Sequence, residues 1–365
     1  MRILRVAQKV YPDVKGGGPY HVHAMSRDQA AMGHDVTVLT VRTDSDLPHV
    51  EERDGYTVVR YDPAVSVLGN DISPGLAQYL SDAEAFDVLH AHSHLYFSTN
   101  LAALKRFLGD IPLAITNHGL YSQNAPEWVF DLYLRSVGRW TFNQADVVFC
   151  YTETDKRRVQ EFGVSSRIAV VSNGIDTQRF VPDGPTSELI DTDGPVVLYV
   201  GRLVDGKRPA AAIDALHGVR QDHPTAQLYL CGEGPLRDEL EHRAAEVGFS
   251  ESVHFLGHLS YDEMPAVYRS SDVLVLPSRA EGVPRTVLEA ISSGIPAVCS
   301  HLDQLDEIVA GRGTLVDMDG GESIARHVSD WLAADRDVDP LEDDYTWQTT
   351  VERTTDRLRS IAYCR

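Results

Sequence analysis

The chain has 365 residues, of which 43% are hydrophobic and 24% are charged, a composition typical of a globular protein long enough for two domains. Its formal net charge of −21 disfavours binding to nucleic acid, or to anionic lipid unless a local basic patch offsets the repulsion. No stretch approaches the ~18 consecutive apolar residues of a membrane span. The four cysteines are scattered without a CxxC pair, which argues against a zinc ribbon or a disulfide framework.

The amino-terminal sequence MRILRVAQKVYP leads directly into an apolar strand pattern. It lacks the small-residue cleavage site of a signal peptide, so we expect a cytoplasmic protein. Lysine occurs only at positions 9, 15, 105, 156 and 207, and the acidic excess is rich in aspartate. This bias suggests a salt-loving source, in which a screened acidic surface keeps the protein in solution.

The first half alternates apolar strands with helical patterns, as in a parallel sheet covered on both faces. The predicted strands are Ile3–Ala7, Val36–Val41, Thr57–Tyr61, Val88–Ala91, Leu113–Thr116, Val147–Cys150 and Ile168–Val171. The polar stretch DGPTSELIDTDGP, residues 183–195, is interpreted as a linker.

A second alternating series follows this linker. Its predicted strands are Val196–Val200, Leu228–Cys231, Val253–Leu256, Val273–Leu276 and Ala297–Cys299. The predicted fold class is therefore α/β, with two Rossmann-like doubly wound parallel-sheet domains facing a central cleft. The predicted domains are 1–182 and 196–345, with the linker between them and a terminal helical segment at 346–365.

Ligands of such sheets bind beyond the carboxyl ends of the strands, so the loops after strands are the candidate sites. Lys15 and the triple glycine Gly16, Gly17 and Gly18 follow the first strand. Three glycines let the backbone approach a ligand closely, although a tight strand-to-helix turn explains them equally well. The segment lacks both GK[ST] and GxGxxG, so it predicts no P-loop and no dinucleotide fingerprint.

Two cations follow the first strand of the second series, Arg202 and Lys207 in GRLVDGK. A planar guanidinium and a compact ammonium suit the neutralisation of a diphosphate, although surface cations are more often simply solvated. The next strand ends in Gly232, Glu233 and Gly234, where a flat base or merely a sharp turn would fit.

The run RAEGVPRTVLEAISSG, residues 279–294, places Glu281 before a predicted helix and Glu289 within it. Pro284 suits the first helical position and Gly294 the C′ position that ends the helix. N–H groups at a helix start lack partners within the helix. Those near Gly282, Val283, Arg285 and Thr286 are therefore expected to form an anion site that accommodates a diphosphate. Glu289 lies about 7 Å further along the helix, which suits hydrogen bonds from a ribose.

Several motifs raise the question of a metal. His90, His92 and His94 alternate along a strand, so three imidazoles on one face could bind zinc, or one or two of them could line an acceptor site. The DxD triplets at Asp44–Asp46, Asp191–Asp193 and Asp317–Asp319 are expected by chance in a chain this rich in aspartate. The triplets therefore predict no metal site, and both interpretations of the three histidines stay open at this point.

Taken together, VGRLVDGK, LCGEGPLRDELE, FLGHLS, SSDVLVLPSRAEGVPRTVLEA and IPAV resemble the retaining nucleotide-sugar glycosyltransferases of family 4, which have the GT-B fold. Weaker similarity runs through GGGPYHVHAMSRDQAAMGHDVTVLT, FDVLHAH, TNHGL and VVSNGIDTQRF, so the resemblance covers nearly the whole chain. It implies an amino-terminal acceptor domain, a carboxyl-terminal nucleotide-sugar domain and a last helix, Trp347–Ala362, that returns to the first domain.

The resemblance also implies roles for individual residues. Glu281 would orient the transferred sugar, Glu289 would bind the ribose, and His118 would lie beside the reacting carbon. The implied catalytic set is Glu281, His118, Arg202 and Lys207. The implied donor-binding set is Arg202, Lys207, Gly282, Val283, Pro284, Glu289, Gly232, Glu233 and Leu259, with Gly16, Gly17 and Gly18 near the diphosphate and the acceptor.

The resemblance implies transfer of a sugar with retention of anomeric configuration, without a catalytic metal or a cofactor. Retention by double displacement would need a carboxylate nucleophile about 5 Å from an acid/base partner, whereas Glu281 is expected to face sugar hydroxyls. We therefore favour same-face attack, in which the departing phosphate takes the acceptor's proton. Rival interpretations are a nucleotide-sugar 2-epimerase of the same fold and a non-catalytic sugar-nucleotide-binding protein. A nicotinamide-dependent dehydrogenase is disfavoured, because no GxGxxG follows the first strand.

The acceptor is sugar- or lipid-linked in this interpretation, and its identity stays open. The stretch TNHGLYSQNAPEWVFDLYLRSVGRW is aromatic and partly amphipathic through Tyr121, Trp128, Phe130, Tyr133, Leu134 and Trp140. It predicts either a packed helix or peripheral contact with the inner membrane face.

Overall fold

The computed structural model describes residues 1–67, 69–120, 127–318, 323–334 and 338–363. The chain forms two compact units. The first comprises Met1–Asn173 together with Gln348–Arg365, and the second comprises Gly174–Trp347. Within the described residues, no helix combines the length and apolar character that crossing a membrane requires.

The first unit is built on an eight-stranded sheet of order β10-β9-β8-β7-β1-β2-β4-β3. All its neighbours are parallel except β3 and β4, which form an antiparallel hairpin. The strands are β1 (Arg2–Val6), β2 (Asp35–Val41), β3 (Val50–Arg53), β4 (Tyr56–Tyr61), the separate hairpin β5 (Val65–Val67) and β6 (Asn70–Ile72), then β7 (Val88–His92), β8 (Leu113–Thr116), β9 (Val147–Cys150) and β10 (Ile168–Val170).

Helices cover this sheet. They are α1 (Gly17–Ala31), α2 (Pro74–Ser81), α3 (Phe97–Leu108), α4 (Glu127–Tyr133), α5 (Arg139–Asn143) and α6 (Glu153–Glu161), with a π-helical turn, Leu134–Gly138, between α4 and α5. Successive strand residues point to opposite faces and therefore enter different cores. Ile3 joins one apolar cluster and Leu4 the other.

The second unit has a six-stranded, wholly parallel sheet of order β13-β12-β11-β14-β15-β16. Its strands are β11 (Val196–Val200), β12 (Gln227–Cys231), β13 (Val253–Gly257), β14 (Val273–Leu276), β15 (Ala297–Ser300) and β16 (Gly313–Val316). Its helices are α7 (Pro209–Asp222), α8 (Arg237–Glu246), α9 (Met264–Arg269), α10 (Arg285–Ser292), α11 (Asp306–Val309) and α12 (Ile324–Leu332).

The last helix, α13 (Trp347–Tyr363), packs with the first unit. Leu358 is fully buried in a core cluster of that unit, and Thr355 accepts a 2.9 Å hydrogen bond from Gln29 of α1. Residues 174–182, which the sequence pattern groups with the amino half, belong to the second unit instead. Ile175 and Phe180 are fully buried, and the Ile175 N–H donates to the Tyr345 carbonyl.

The predicted doubly wound parallel sheets are confirmed, and the predicted strands are correct to within about one residue. The sequence patterns missed β3, β5, β6 and β16. All four lie at a sheet edge or in an isolated hairpin, where exposure of the backbone removes the need for a continuous apolar run. Pro284 is also misplaced: its ψ of 119° is extended, so it precedes the helix that begins at Arg285.

Candidate functional site

Lys207 and Glu281 form an ion pair at the carboxyl ends of neighbouring strands of the second unit. Lys207 lies in the loop after β11, and Glu281 lies in the loop after β14, which is paired with β11. The Glu281 side chain is 5% exposed and the Lys207 side chain 16% exposed. A carboxylate removed from water to this degree needs a cation beside it, and Lys207 supplies that charge.

The loop that carries Glu281 is held in place by its neighbours. The Gln304 side chain donates to the Glu281 carbonyl at 2.6 Å, and the Arg279 N–H donates to the Gly206 carbonyl at 3.0 Å. The exposed Arg279 guanidinium also donates to Asp205 at 2.8 Å. The loops after β11 and β14 are therefore tied together by backbone as well as by charge.

Glu289 is buried on α10, with 5% of the residue exposed. Its carboxylate accepts a 3.0 Å hydrogen bond from the Tyr268 hydroxyl and lies 3.6 Å from the Arg285 guanidinium. Burial raises the pKa of the Glu289 carboxyl, and Arg285 opposes that rise. A carboxylate has about four acceptor positions, so a donor from a ligand can be added to this arrangement.

The sequence analysis missed the contacts that the side chains of Tyr268 and Arg285 make with Glu289, although it placed the Arg285 N–H in the anion site. Arg285 is one helical turn before Glu289, a spacing at which side chains on a helix meet, so the pattern contained a usable signal. Arg285 is anchored further by a 2.9 Å hydrogen bond to the Tyr261 hydroxyl and by the Trp347 ring, 5.6 Å from its guanidinium carbon. No local pattern identifies Tyr268, which precedes β14.

The glycines after β12 are explained by close packing of backbone against backbone. A Cβ at Gly232, whose φ is 144°, would lie 1.9 Å from the Gly201 carbonyl oxygen, and one at Gly234 would lie 2.3 Å from that of Leu203. The Leu203 N–H donates to the Glu233 carbonyl at 2.9 Å. These contacts hold the loop after β11 against the loop after β12. Arg202, in the loop after β11, is exposed.

The other predicted donor-site residues of the second unit lie in the same set of strand-end loops. Leu259 follows β13 and is partly buried, and the Gly257 carbonyl before it accepts from the Gly232 N–H at 2.7 Å. Gly282 and Val283 are buried and lead into α10 through Pro284.

The triple glycine of the first unit has a different explanation. Gly16 has a φ of 139°, which favours glycine, whereas a Cβ at Gly17 or at Gly18 would meet no atom within 4 Å. Neither packing nor backbone conformation among the described residues requires these two glycines. Their lack of side chains leaves open space at the start of α1, as a closely approaching ligand would need.

A buried charge cluster anchors the loop before this glycine segment. Asp13 accepts from Arg53 at 2.9 Å and from Arg60 at 2.7 Å, and both arginines also bind Glu51. The side chain of Asp13 is 3% exposed and that of Arg60 is fully buried. Burial alone would raise the pKa of Asp13, but hydrogen bonds from both arginines hold it below its usual value. The β3–β4 hairpin thus fixes the path of the chain into Gly16.

His118 lies after β8 in the first unit, with both ring nitrogens engaged. Its Nδ1 is 2.7 Å from the Tyr151 hydroxyl and its Nε2 is 3.0 Å from Nδ1 of His92. Burial lowers the pKa of His118 to about 4, so the ring is neutral at pH 7. Because Tyr151 directly follows β9, the rule that ligands meet strand ends could have found it.

His90, His92 and His94 are buried, but they do not converge on one ion. The His90 and His92 rings are 4.4 Å apart, whereas the His94 ring packs 4.8 Å from that of Phe142. Among the residues with described placement, no three His, Cys, Asp or Glu side chains are grouped to hold a metal ion. The zinc interpretation of these three histidines is therefore wrong. Of the DxD residues, Asp319 lies outside the described residues.

Comparison with known proteins places this geometry in a family. The model for group 1 glycosyl transferases matches residues 183–344, and the model for glycosyltransferase family 4 matches residues 15–179. The chain is 31% identical to the glycogen synthase of Mycobacterium tuberculosis over 97% of this chain and 93% of that protein. It is 26% identical to a GDP-mannose-dependent alpha-(1-6)-phosphatidylinositol monomannoside mannosyltransferase of Mycolicibacterium smegmatis, over 95% and 96% of the two chains.

Solved structures agree on the fold. Sucrose-phosphate synthase from Thermosynechococcus elongatus superposes with a TM-score of 0.75 at 19% identity, over 99% of this chain and 95% of that one. Anabaena HepE in complex with UDP and glucose gives a TM-score of 0.72 at 19% identity, over 99% and 100%. The chain therefore belongs to the glycosyltransferases of family 4 and has the GT-B fold.

Proposed function

We propose that the protein transfers a hexosyl group from a UDP- or GDP-linked sugar to an acceptor hydroxyl, with retention of anomeric configuration and without a metal or cofactor. The observation that carries this proposal is the ion pair of the partly exposed Lys207 with the buried Glu281, placed beside the start of α10. It combines a cation for a diphosphate with a carboxylate for sugar hydroxyls at one set of strand ends.

Each end of the donor has a group suited to it. The Glu289 carboxylate, oriented by Tyr268, would accept hydrogen bonds from the ribose. The N–H groups at the start of α10 and the cations Lys207 and Arg202 would neutralise the diphosphate. Glu281 would orient the transferred sugar. Its carboxylate is paired with Lys207, and its backbone carbonyl accepts a hydrogen bond from the Gln304 side chain.

We favour same-face attack for the chemical step. The C–O bond to phosphate lengthens, positive charge develops on the sugar, and the departing phosphate oxygen takes the acceptor's proton as the acceptor oxygen bonds to the anomeric carbon. A double displacement would require a carboxylate nucleophile about 5 Å from a second acid/base group. Glu281 is already paired with Lys207, which suits an orienting carboxylate. A neutral His118 would lie beside the sugar without adding charge.

Leaving-group stabilisation is tested by Lys207→Ala and Arg202→Ala. Removal of one preorganised electrostatic donor costs about 3 to 4 kcal/mol in the barrier, so turnover should fall by roughly 100- to 1000-fold. The matched controls are Lys156→Ala and Arg243→Ala, which remove partly exposed cations that pair with Glu153 and Asp214 and have no role in the candidate site. Near-normal turnover in either test variant, with the controls active, refutes the assignment.

The donor is identified by thermal stabilisation with a panel of UDP-, GDP- and ADP-sugars, followed by product analysis of the hits. A ligand at 100 times its Kd stabilises the folded state by about 2.7 kcal/mol. A sugar epimer formed without acceptor would indicate a 2-epimerase, and binding without any turnover would indicate a non-catalytic protein. A sugar trapped covalently on Glu281 would replace same-face attack with double displacement.

The acceptor belongs to glycolipid, lipid-linked oligosaccharide or surface polysaccharide synthesis in this proposal. Support comes from relatives, because the mannosyltransferase of Mycolicibacterium smegmatis is named for a phosphatidylinositol monomannoside. We further propose that the protein works in the cytoplasm, in peripheral contact with the inner membrane face.

A further inference from the structure

Tyr151, His118 and His92 form a row of hydrogen-bonded rings in the first unit, which we call the ring triad. The Tyr151 hydroxyl is 2.7 Å from Nδ1 of His118, and Nε2 of His118 is 3.0 Å from Nδ1 of His92. The three residues lie at the carboxyl ends of β9, β8 and β7, which are neighbours in the sheet. Tyr151 is 4% exposed and His92 is 2% exposed, whereas His118 is partly exposed. The central residue is therefore the member of the triad that a ligand at this edge can reach.

The protons of the triad are linked from one ring to the next. Burial lowers the pKa of both histidines, so both rings are neutral at pH 7, and a neutral imidazole has one donor and one acceptor nitrogen. A phenol is a stronger acid than a neutral imidazole, and an imidazole nitrogen is a better proton acceptor than a phenol oxygen. The Tyr151 hydroxyl therefore donates to Nδ1 of His118, and the Nε2–H of His118 donates to Nδ1 of His92.

Neighbouring rings fix the plane of His118. The His21 ring of α1 packs edge-on against it, with centroids 5.3 Å apart and an angle of 85°. His21 is itself held, because its Nδ1 is 3.1 Å from the side-chain oxygen of Asn173. Packing thus restricts the orientation of the imidazole, and Tyr151 decides which of its nitrogens carries the proton.

One nitrogen at the end of the triad makes no hydrogen bond. Among the described residues, Nε2 of His92 is buried without a partner. A buried polar atom without a partner opposes folding, so native structures keep few of them. Stability alone therefore does not explain this arrangement of rings, and its place at the ligand edge of the sheet indicates a role in function.

The hydroxyl of Tyr133, by contrast, is bound to the backbone of the same unit. It donates to the His94 carbonyl, and the adjacent Leu134 is 3% exposed. Tyr133 and Leu134, which the sequence pattern suggested for a lipid-facing surface, therefore face inward, and Tyr121 lies outside the described residues.

We propose that Tyr151 is a positioning residue for sugar transfer, which holds His118 as the Nε2–H tautomer with its ring fixed beside the transferred sugar. This inference rests on the proposed function, because Tyr151 acts on the reaction only through His118. Both ring nitrogens of His118 are bound within the protein, so His118 offers the acceptor neither a free base nor a free acid. The acceptor's proton goes to the departing phosphate, as same-face attack requires.

Nitrogen-15 NMR of the histidine rings tests the hydrogen bonds without a transfer assay. The His118 signals are assigned by their absence from the spectrum of His118→Ala. In the wild type at pH 7 we expect Nδ1 of His118 to be unprotonated and Nε2 to be protonated. In Tyr151→Phe the Nδ1 signal should move towards that of a nitrogen that accepts no hydrogen bond. A wild-type His118 protonated on Nδ1, or an Nδ1 signal that Tyr151→Phe leaves in place, overturns the proposal.

The matched control is Tyr56→Phe. It removes a hydroxyl that is 2.9 Å from Nδ1 of another buried histidine, His23, in a pair that joins β4 to α1. The chemical change equals that of Tyr151→Phe, but the ring triad is left intact. The control should therefore keep the wild-type His118 signals and the wild-type turnover, and thermal melts establish that each variant is folded.

Turnover in a double-mutant cycle tests whether Tyr151 acts through His118. Tyr151→Phe should lower turnover roughly tenfold with the donor KM unchanged, since a small misplacement of a group in a site is costly. In a His118→Ala background the same substitution should have no further effect. An equal loss in both backgrounds, or wild-type turnover of Tyr151→Phe, overturns the proposal. Absence of transfer by the wild type would instead refute the proposed function, and the NMR result distinguishes that outcome from failure of the ring triad.

Discussion

A pair of glycine substitutions separates glycines that serve a ligand from glycines that serve the fold. Gly18→Ala adds a Cβ that meets no atom within 4 Å, near the start of α1, whereas Gly232→Ala adds one 1.9 Å from the Gly201 carbonyl oxygen. Gly232 also has a φ of 144°, which alanine rarely adopts. The two variants make the same chemical change in opposite environments.

The expected effects on stability differ in sign. Alanine is favoured over glycine within a helix by up to about 1 kcal/mol, so Gly18→Ala should leave stability unchanged or slightly raised. At Gly232, overpacking of about 1–3 kcal/mol adds to backbone strain of a similar size, for a loss of roughly 2–6 kcal/mol. At ~2–4 °C per kcal/mol for a unit of this size, the melting temperature of the second unit should fall by at least about 4 °C.

The expected effects on activity are reversed. If the open space at Gly18 receives a ligand of the proposed reaction, a Cβ there obstructs it, so transfer should fall at least tenfold, on the order of 1.4 kcal/mol in the barrier. Calorimetry and transfer assays with the donor found by screening measure both quantities. Full transfer activity of a folded Gly18→Ala protein would refute the argument that open space marks a ligand.

Four other predictions follow from the structure. Asp13→Asn should cost about 1–3 kcal/mol in unfolding free energy, because Arg53 and Arg60 lose one of the two carboxylates that they share and keep only Glu51; a melting temperature like that of the wild type would contradict this. Glu289→Gln should raise the nucleotide Kd about 10- to 100-fold in calorimetric titration, since charge-assisted hydrogen bonds are worth about 1.5–3 kcal/mol, while turnover at saturation changes little. Stability of the first unit, measured by denaturant titration, should decrease as pH falls from about 6.5 towards 4. The reason is that a histidine in the unfolded chain binds a proton near pH 6.5, whereas His118, partly buried in the folded protein, binds one only near about 4; stability that stays constant over this pH range would count against the prediction. Molar KCl should raise the melting temperature by screening the net charge of −21, and insensitivity to KCl would exclude salt adaptation.

Much of the candidate site is local in sequence and could be predicted from it. Glycine turns and apolar runs alone place Arg202, Lys207, Glu281 and His118 at strand ends, because strand ends are recognisable from residue type. The contact between the Arg285 side chain and Glu289 could have been predicted from their four-residue spacing on a helix. Edge strands such as β3 were not predicted, because their side chains are mostly polar and at least partly exposed.

The sequence by itself determined the fold class, the family and the candidate donor residues, since these depend on periodicity and short motifs. Only the tertiary structure decided which side chains meet. Lys207 and Glu281 are 74 residues apart, and they pair because β11 and β14 are neighbours in the sheet. Tertiary structure likewise brings together His118 and Tyr151, Asp13 and the β3–β4 hairpin, and Phe107 and Trp140, which are distant in sequence. Lateral strand order and helix packing result from burial of the whole core, which no local pattern encodes.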